Sequence, residues 1–294
     1  MRILLFGRGG QVGRELAACL PALAEVITCD RSEVDLSDAA AIRERVSRER
    51  PHLVLNAAAY TAVDAAEQHV EAAMAINARA PGAIAEAAAS VGASLIHYST
   101  DYVFDGEAAR PYVETDGTKP LGVYGASKLA GEQAVYAARV PHLILRTSGV
   151  YSHAAGNFVT TIRRAAQTRP QLEVVTDQAG SPTWARTIAQ TTRRIIEQWQ
   201  GGRDPRQGIY NLVSRGDPSR HLLATRIVAL ARARGETKLE PSHVKPILTH
   251  DLPAQAARRP RYSALATAKI EHDFALTMPD WDRDLEAFFG AAPA

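Results

Sequence analysis

The chain has 294 residues, 46% hydrophobic and 22% charged, with a formal net charge of +2. That is the composition of an ordinary globular protein with one large domain or two moderate ones, and near-neutrality argues against nucleic acid or an anionic membrane as partner. No apolar run reaches the roughly eighteen residues of a membrane span, and the chain begins on a strand pattern rather than a signal peptide, so a cytoplasmic location is expected.

The first predicted strand, RILLF (2–6), runs into GRGGQVG and then the helical stretch RELAACL. Gly7, Gly9, Gly10 and Gly13 lie in this turn. Glycines between a first strand and its helix let backbone approach a pyrophosphate, whose charge meets the helix N-terminus; a tight structural turn is the alternative. The second strand, EVITC (25–29), ends at Asp30, where an acid is expected to hold the adenosine ribose. Asp35, in VDLSD, either faces the adenine or caps a helix. Cys19 and Cys29 read as core residues in a reducing compartment, with neither disulfide nor zinc spacing.

The third strand, HLVLNAA (52–58), leads into Ala57, Ala58 and Ala59. Such small residues admit either a flat cofactor or close helix packing. Asn77 falls in a long helical segment that continues through PGAIAEAAASVG, and reads as solvent-facing or capping, with a water relay to Lys128 as the functional alternative. In the fourth strand, SLIHYST (94–100), Ser99 and Thr100 point to opposite faces. Only one hydroxyl therefore reaches a ligand at the strand's C-terminal end. PLGVYGASKLAGEQAV (120–135) sets Tyr124 and Lys128 on one helix face. An ammonium beside a phenol lowers a pKa that is ordinarily about 10, which suits a general acid. A fifth strand, HLILRTS (142–148), follows.

Strands alternating with helices predict βαβ units and a buried parallel sheet. After residue 149 the rhythm changes to a helix (NFVTTIRRAAQ), a strand (LEVVT), a helix from near Trp184 and a strand (GIYNLV). Pro-rich loops and short helices follow, in DLPAQAARRPRYSAL and MPDWDRDLEAFFG. The expected architecture is an α/β, Rossmann-type doubly wound sheet over residues 1–149, rejoined by about 184–215. Residues 150–183 and 216–294 are expected to form a smaller C-terminal substrate-binding lobe.

Together the glycine turn, NAAA, the Ser-Thr strand end and Tyr-x-x-x-Lys resemble the extended short-chain dehydrogenase/reductase superfamily. More closely, LLFGRGGQVG, NAAAYTAVDAAE, IHYSTDYVFDG, LGVYGASKLAGE, DQAGSPT and ARRPRYSAL are similar to the dTDP-4-dehydrorhamnose reductase family, in order as far as residue 265. The resemblance implies an oxidoreductase that uses NADPH or NADH. Its reaction would be reduction of the C4 ketone of dTDP-4-dehydro-L-rhamnose to dTDP-L-rhamnose, in nucleotide-sugar synthesis for cell-surface polysaccharide. Thr100, Tyr124 and Lys128 are then catalytic: Thr100 polarises the carbonyl oxygen, Tyr124 protonates it, and Lys128 binds the nicotinamide ribose. Gly7, Gly10, Gln11, Val12 and Gly13 would hold the cofactor's diphosphate end. Asp30, Asp35, Leu36, Ala57, Ala58 and Ala59 would complete that cofactor site, together with Tyr124 and Lys128. Thr61, Val63, Thr100, Asp101 and Tyr102 are implied for the sugar pocket, while Arg259 meets the nucleotide diphosphate or is a surface arginine.

Two rivals share the superfamily fold. Nucleotide-sugar 4,6-dehydratases and epimerases are one; dehydratases present Thr-Asp-Glu where this chain has Thr100-Asp101-Tyr102. The other is a non-catalytic nucleotide-binding subunit resembling the regulatory subunit of methionine adenosyltransferase. Asp30 disfavours the 2′-phosphate of NADPH, yet Arg8 and Arg31 offset that, so both cofactors are expected to work. Two departures from the family stand out. Arg186 replaces a glutamate that, with a partner matched by Glu15, bridges magnesium in dimers, so no structural metal and a monomer or weak homodimer are expected. Gly149 replaces a tryptophan of the sugar pocket, which either leaves a wider or rearranged site or marks a simple bend at the strand end.

Overall fold

The computed structural model describes residues 1–154, 156–202, 207–253 and 256–292, so positions 254 and 255 of the expected Pro-rich loop lie outside the description. Strand β1 (Arg2–Phe6) passes through α1 (Gln11–Cys19) to β2 (Glu25–Cys29), and α2 (Ala39–Glu49) leads to β3 (Leu53–Asn56). Then come α3 (Val63–Ala66), α4 (Val70–Met74), a π-helical turn at Ala75–Arg79 and α5 (Ala80–Ser90) before β4 (Ser94–Thr100). Helix α6 (Val123–Ala137) returns the chain to β5 (His142–Thr147). Further on lie β6 (Val150–Tyr151), α7 (Phe158–Thr168), β7 (Leu172–Val175), β8 (Thr183–Trp184) and α8 (Ala185–Gln200). The chain closes with β9 (Gly208–Asn211), α9 (Arg220–Ala233), β10 (Val244–Ile247), α10 (Ala268–Phe274) and α11 (Trp281–Gly290).

The main sheet is parallel, in the order β2-β1-β3-β4-β5-β9. Its strands are apolar at consecutive positions because helices cover both faces. Leu5, Leu55, Ile96 and Leu145 pack with Leu16 of α1 and Ile188 of α8. Their neighbours Leu4, Val54, Leu95 and Ile144 turn the other way, against Ile42 of α2, Ile84 of α5 and Val135 of α6. From β1 the sheet grows toward β2 on one side and β3 on the other. That reversal leaves a crevice at the C-terminal strand ends, where open α/β sheets bind ligands.

A second core gathers Tyr151, Val159, Ile162, Trp184, Ile227 and Phe288 beneath α7, α9 and α11. The parallel pair β7 and β10 belongs to this smaller lobe. The expected lobe at 216–294 is interrupted, however. Ile270, Phe274 and Met278 join the core of the main sheet, and Phe274 packs edge-on to Tyr210 of β9 at 5.2 Å. An amphipathic segment carries no label for which of two cores it will cover, so this return was not predictable from its pattern. Among the described residues, no helix is long and apolar enough to cross a membrane.

A buried ion pair locks α6 to the sheet. Arg146 of β5 donates to both Glu132 oxygens, at 2.9 and 2.7 Å, and Ser99 of β4 donates to the same carboxylate at 2.5 Å. Arg146 also lies 5.1 Å from the Phe104 ring centroid. Glu132 stands one turn beyond Lys128 on α6, so this tie fixes the helix that carries Tyr124. Removing one partner strands a charge in the interior at a cost of about 3–5 kcal/mol. Arg146→Met is therefore expected to lower the urea-unfolding free energy by that amount. A loss below about 1 kcal/mol, the size of a surface pair, would contradict the tie.

Candidate functional site

The glycine turn is shaped by contact at two of its glycines. Gly7 has φ +86°, and a Cβ there would sit 2.5 Å from the Ala58 nitrogen. A Cβ on Gly13 would lie 2.0 Å from the Gly7 carbonyl oxygen. Gly9, by contrast, would meet nothing within 4 Å and borders the cavity. The Gly10 N–H closes the turn on the Gly7 carbonyl at 3.0 Å, and α1 starts immediately after it. The first-turn amides of α1 thus remain available to an anion.

Gln11 and Val12 line the same cavity. Gln11 is already engaged: its amide nitrogen donates to the Val150 carbonyl at 3.3 Å, and its oxygen accepts from Ser152 and Asn157, each at 2.9 Å. It fastens the turn to the second lobe. Asp30 accepts from the Ser32 hydroxyl and from Arg8, both at 2.5 Å, and these hydrogen bonds hold its carboxyl well below the usual range. Asp35 lines the cavity and accepts from the Ser37 amide and hydroxyl, while the helix-cap role falls to Asp38, which accepts from Ala40 and Ala41 of α2. Leu36, Ala57, Ala58 and Ala59 complete this half.

The far wall comes from β4 and α6. Strand alternation sends Ser99 down to Glu132 and leaves Thr100 facing the cavity. The Thr100 hydroxyl donates to Asp101 at 3.0 Å, and Tyr124 borders the same cavity. Tyr124 stands in the first turn of α6, whose Val123 amide donates to Glu67 at 2.8 Å. Its ring meets Tyr102 edge-on at 5.5 Å. Lys128, buried one turn on, donates from Nζ to the Tyr98 carbonyl at 2.7 Å.

The Tyr124 pKa is raised, against the expected lowering by Lys128. Burial pushes the phenol above its ordinary range, opposed by Thr100 and reinforced by Asp101 and Tyr102. Burial likewise pushes Lys128 down to about 8, against the attraction of Glu132. In both groups, loss of water outweighs neighbouring charge.

The sequence-predicted residues Thr61, Val63, Asp101, Tyr102 and Arg259 all line the same cavity, of about 1220 Å³. Asp101 is buried and accepts from Ser148 at 2.8 Å; burial raises its pKa, opposed by bonds from Ser263, Ser148 and Thr100. Arg259 lines the cavity while pairing with Asp64 at 2.5 Å, rather than standing on the outer surface. Asn77 is neither solvent-facing nor a cap: its oxygen accepts from the Tyr60 amide at 2.8 Å, and its nitrogen donates to the Tyr60 carbonyl and Ser127 hydroxyl at 3.0 Å. Its side chain holds the loop after Ala59 against α6. Arg186 donates to Glu15 at 3.0 Å and lies over the Trp184 ring, so Glu15 already has a cation as its partner.

Gly149 fits the strand-end bend rather than the wider site. It borders the cavity, but with φ +54°, and a Cβ there would lie 3.0 Å from the Pro182 Cα. The space that a tryptophan stem needs is taken by the 181–182 backbone, so the missing indole does not leave an open gap at that point. Sequence reading missed Gln178, Ser148, Ser263 and Arg220 on the cavity wall. None lies in a motif with its partner, and only the tertiary fold brings them together.

A sequence model described as the RmlD substrate binding domain matches residues 1–292. The chain is 42% identical to a dTDP-4-dehydrorhamnose reductase of Burkholderia thailandensis, across 96% of this chain and 95% of that protein. It is 43% identical to one from Escherichia coli K12, across 96% and 94%. A crystal structure of dTDP-4-dehydrorhamnose reductase from Bacillus anthracis in complex with NADP is similar with a TM-score of 0.89 at 34% identity, covering 98% of each chain.

The conformation at Gly149 leads to a direct test. Left-handed backbone costs a residue with a Cβ about 1–2 kcal/mol, before any displacement of Pro182. Gly149→Trp is expected to lower the urea-unfolding free energy by at least that much. An unchanged unfolding midpoint would show that the 181–182 segment yields freely and that the site is open after all.

Proposed function

The chain belongs to the dTDP-4-dehydrorhamnose reductase family, and from that premise we infer that it reduces the C4 ketone of dTDP-4-dehydro-L-rhamnose to dTDP-L-rhamnose with a reduced nicotinamide cofactor. The observation that carries this reading is the convergence on one cavity wall of Tyr124, buried Lys128 and Thr100, whose hydroxyl donates to buried Asp101. The glycine turn fits the cofactor because Gly9 is open to the cavity while Gly7 and Gly13 permit close packing behind it.

A nicotinamide held there supplies the hydride for the C4 carbon. This chain's residues do the rest. Gly7, Gly10, Gln11, Val12 and Gly13 would seat the diphosphate on α1, and Asp30 and Asp35, with Leu36, would bound the adenosine end. Because Arg8 already pairs with Asp30, the acid repels a 2′-phosphate less, which accommodates NADPH as well as NADH. Ala57, Ala58 and Ala59 give a flat wall, and Lys128 offers an ammonium to ribose hydroxyls.

On the sugar side, Thr100 hydrogen-bonds the C4 oxygen and Tyr124 gives it a proton. A phenol kept neutral by burial is a secure proton store, and releases its proton only when the oxygen becomes basic as charge develops. Thr61, Val63, Asp101 and Tyr102 would flank the sugar, with Arg259 toward the diphosphate. Tyr102 supplies a phenol, itself raised by burial, where dehydration would need a carboxylate base. The Arg186–Glu15 pair favours a monomer or weak homodimer without structural magnesium, and we place the protein's work in the cytoplasm.

Turnover is measured as NADPH oxidation with enzymatically generated dTDP-4-dehydro-L-rhamnose. Tyr124→Phe keeps the ring and removes the acid, so kcat is expected to fall by roughly 10²–10⁴, with NADPH affinity and unfolding midpoint unchanged. Near-normal turnover in this variant would refute the assigned proton donor.

A further inference from the structure

The substrate half of the cavity contains a second arginine, distinct from Arg259. Arg220 is the first residue of α9, a helix capped by Ser219, and it borders the cavity in a half-buried position. Its Nε donates to the Gln178 side-chain oxygen at 3.1 Å, and its backbone amide donates to the Gln178 carbonyl at 2.9 Å. The guanidinium lies 5.2 Å from the Phe158 ring centroid, and its charge acts on the Tyr102 phenol. Gln178 is buried and donates to Thr249 at 3.1 Å, so the group that aims Arg220 is itself held.

Each of these partners is uncharged. Arg259, which also interacts with Tyr102, has the Asp64 carboxylate to balance it. A guanidinium drawn partly out of water without a countercharge is costly, and an anion entering the cavity relieves that cost. Its planar fork carries five N–H donors, of which Nε is spent on Gln178. Tyr102 touches Tyr124 with one ring edge and interacts with both guanidiniums. The two cations therefore gather at the end of the sugar pocket, beside the tyrosine that borders the reacting carbonyl.

We propose that Arg220 is a specificity-determining residue that engages the diphosphate of the nucleotide sugar, making the site selective for a nucleoside diphosphate over the monophosphate or the bare nucleoside. The proposal rests on the nucleotide-sugar reading given above and deepens it. Phe158 and Gln178 set the fork's direction, so a lysine at this position keeps the charge but not the aim.

Calorimetric titration of the NADPH-loaded protein with dTDP, dTMP and thymidine tests it. A hydrogen bond to a charged group carries a factor of about 10–100 in affinity. Arg220→Gln is expected to weaken dTDP by that factor while leaving thymidine within about twofold. Arg220→Lys should recover part of the loss, and added salt should weaken dTDP less in Arg220→Gln than in the wild type. Unchanged NADPH affinity in each variant verifies the fold. Equal losses for thymidine and dTDP would place Arg220 on the nucleoside and overturn the proposal, as would no loss at all. Wild-type protein that reduces the keto sugar while Arg220→Gln binds dTDP normally would remove Arg220 alone; wild-type protein that neither reduces the keto sugar nor binds dTDP would remove the functional reading as well.

Discussion

Two turns of backbone meet where the sheet reverses its direction of growth, and the rest of the site depends on how close they come. Gly7, after β1, approaches the 57–58 backbone, after β3, so nearly that a single Cβ would collide with it. The Ala57 amide donates to the Phe6 carbonyl at 3.1 Å and continues the sheet's ladder to this point. With the turns pressed together, the start of α1, Asp30, the Ala57–Ala59 wall and Thr100 all open on one crevice. A larger residue at Gly7 or Gly13 would force apart the strands that place everything else.

Burial, more than pairing of charges, sets the chemistry of the opposite wall. Tyr124 and Lys128 share a helix face, yet the dominant influence on each is the loss of water, which favours neutral phenol and weakens the ammonium. The result is a phenol that keeps its proton. Thr100 donates to the buried Asp101, and Ser148 holds Asp101 from β5's end. The Glu132–Arg146–Ser99 tie sits directly below and keeps α6 in register with β4 and β5. Orientation is thus supplied by the core, not by a flexible loop.

Much of this was legible in the sequence. Strands such as SLIHYST and RILLF coincide with β4 and β1 because continuous apolar runs bounded by glycine or polar turns have few alternatives in a parallel sheet. Alternation foretold that one hydroxyl of the Ser99–Thr100 pair would face the ligand, and left open which. The Glu132 carboxylate, a long-range partner, settles that. Other features have no local signature. Arg220 and Gln178 are forty-two positions apart, α10 returns to the sheet across a lobe boundary, and the backbone conformation of Gly149 depends on Pro182. Asn77 was misread because its partners, Tyr60 and Ser127, lie far from it in sequence.

The central claim is that hydride from the cofactor ends on the sugar's C4 while Tyr124 supplies the proton. Its most direct test is turnover with NADPH deuterated at both nicotinamide C4 positions, followed by proton NMR of the nucleotide-sugar product. The account predicts dTDP-rhamnose with deuterium at C4 and stoichiometric oxidation of the cofactor. A changed sugar that carries no deuterium, or forms without net cofactor oxidation, would contradict it and point to the internal redox chemistry of an epimerase or dehydratase.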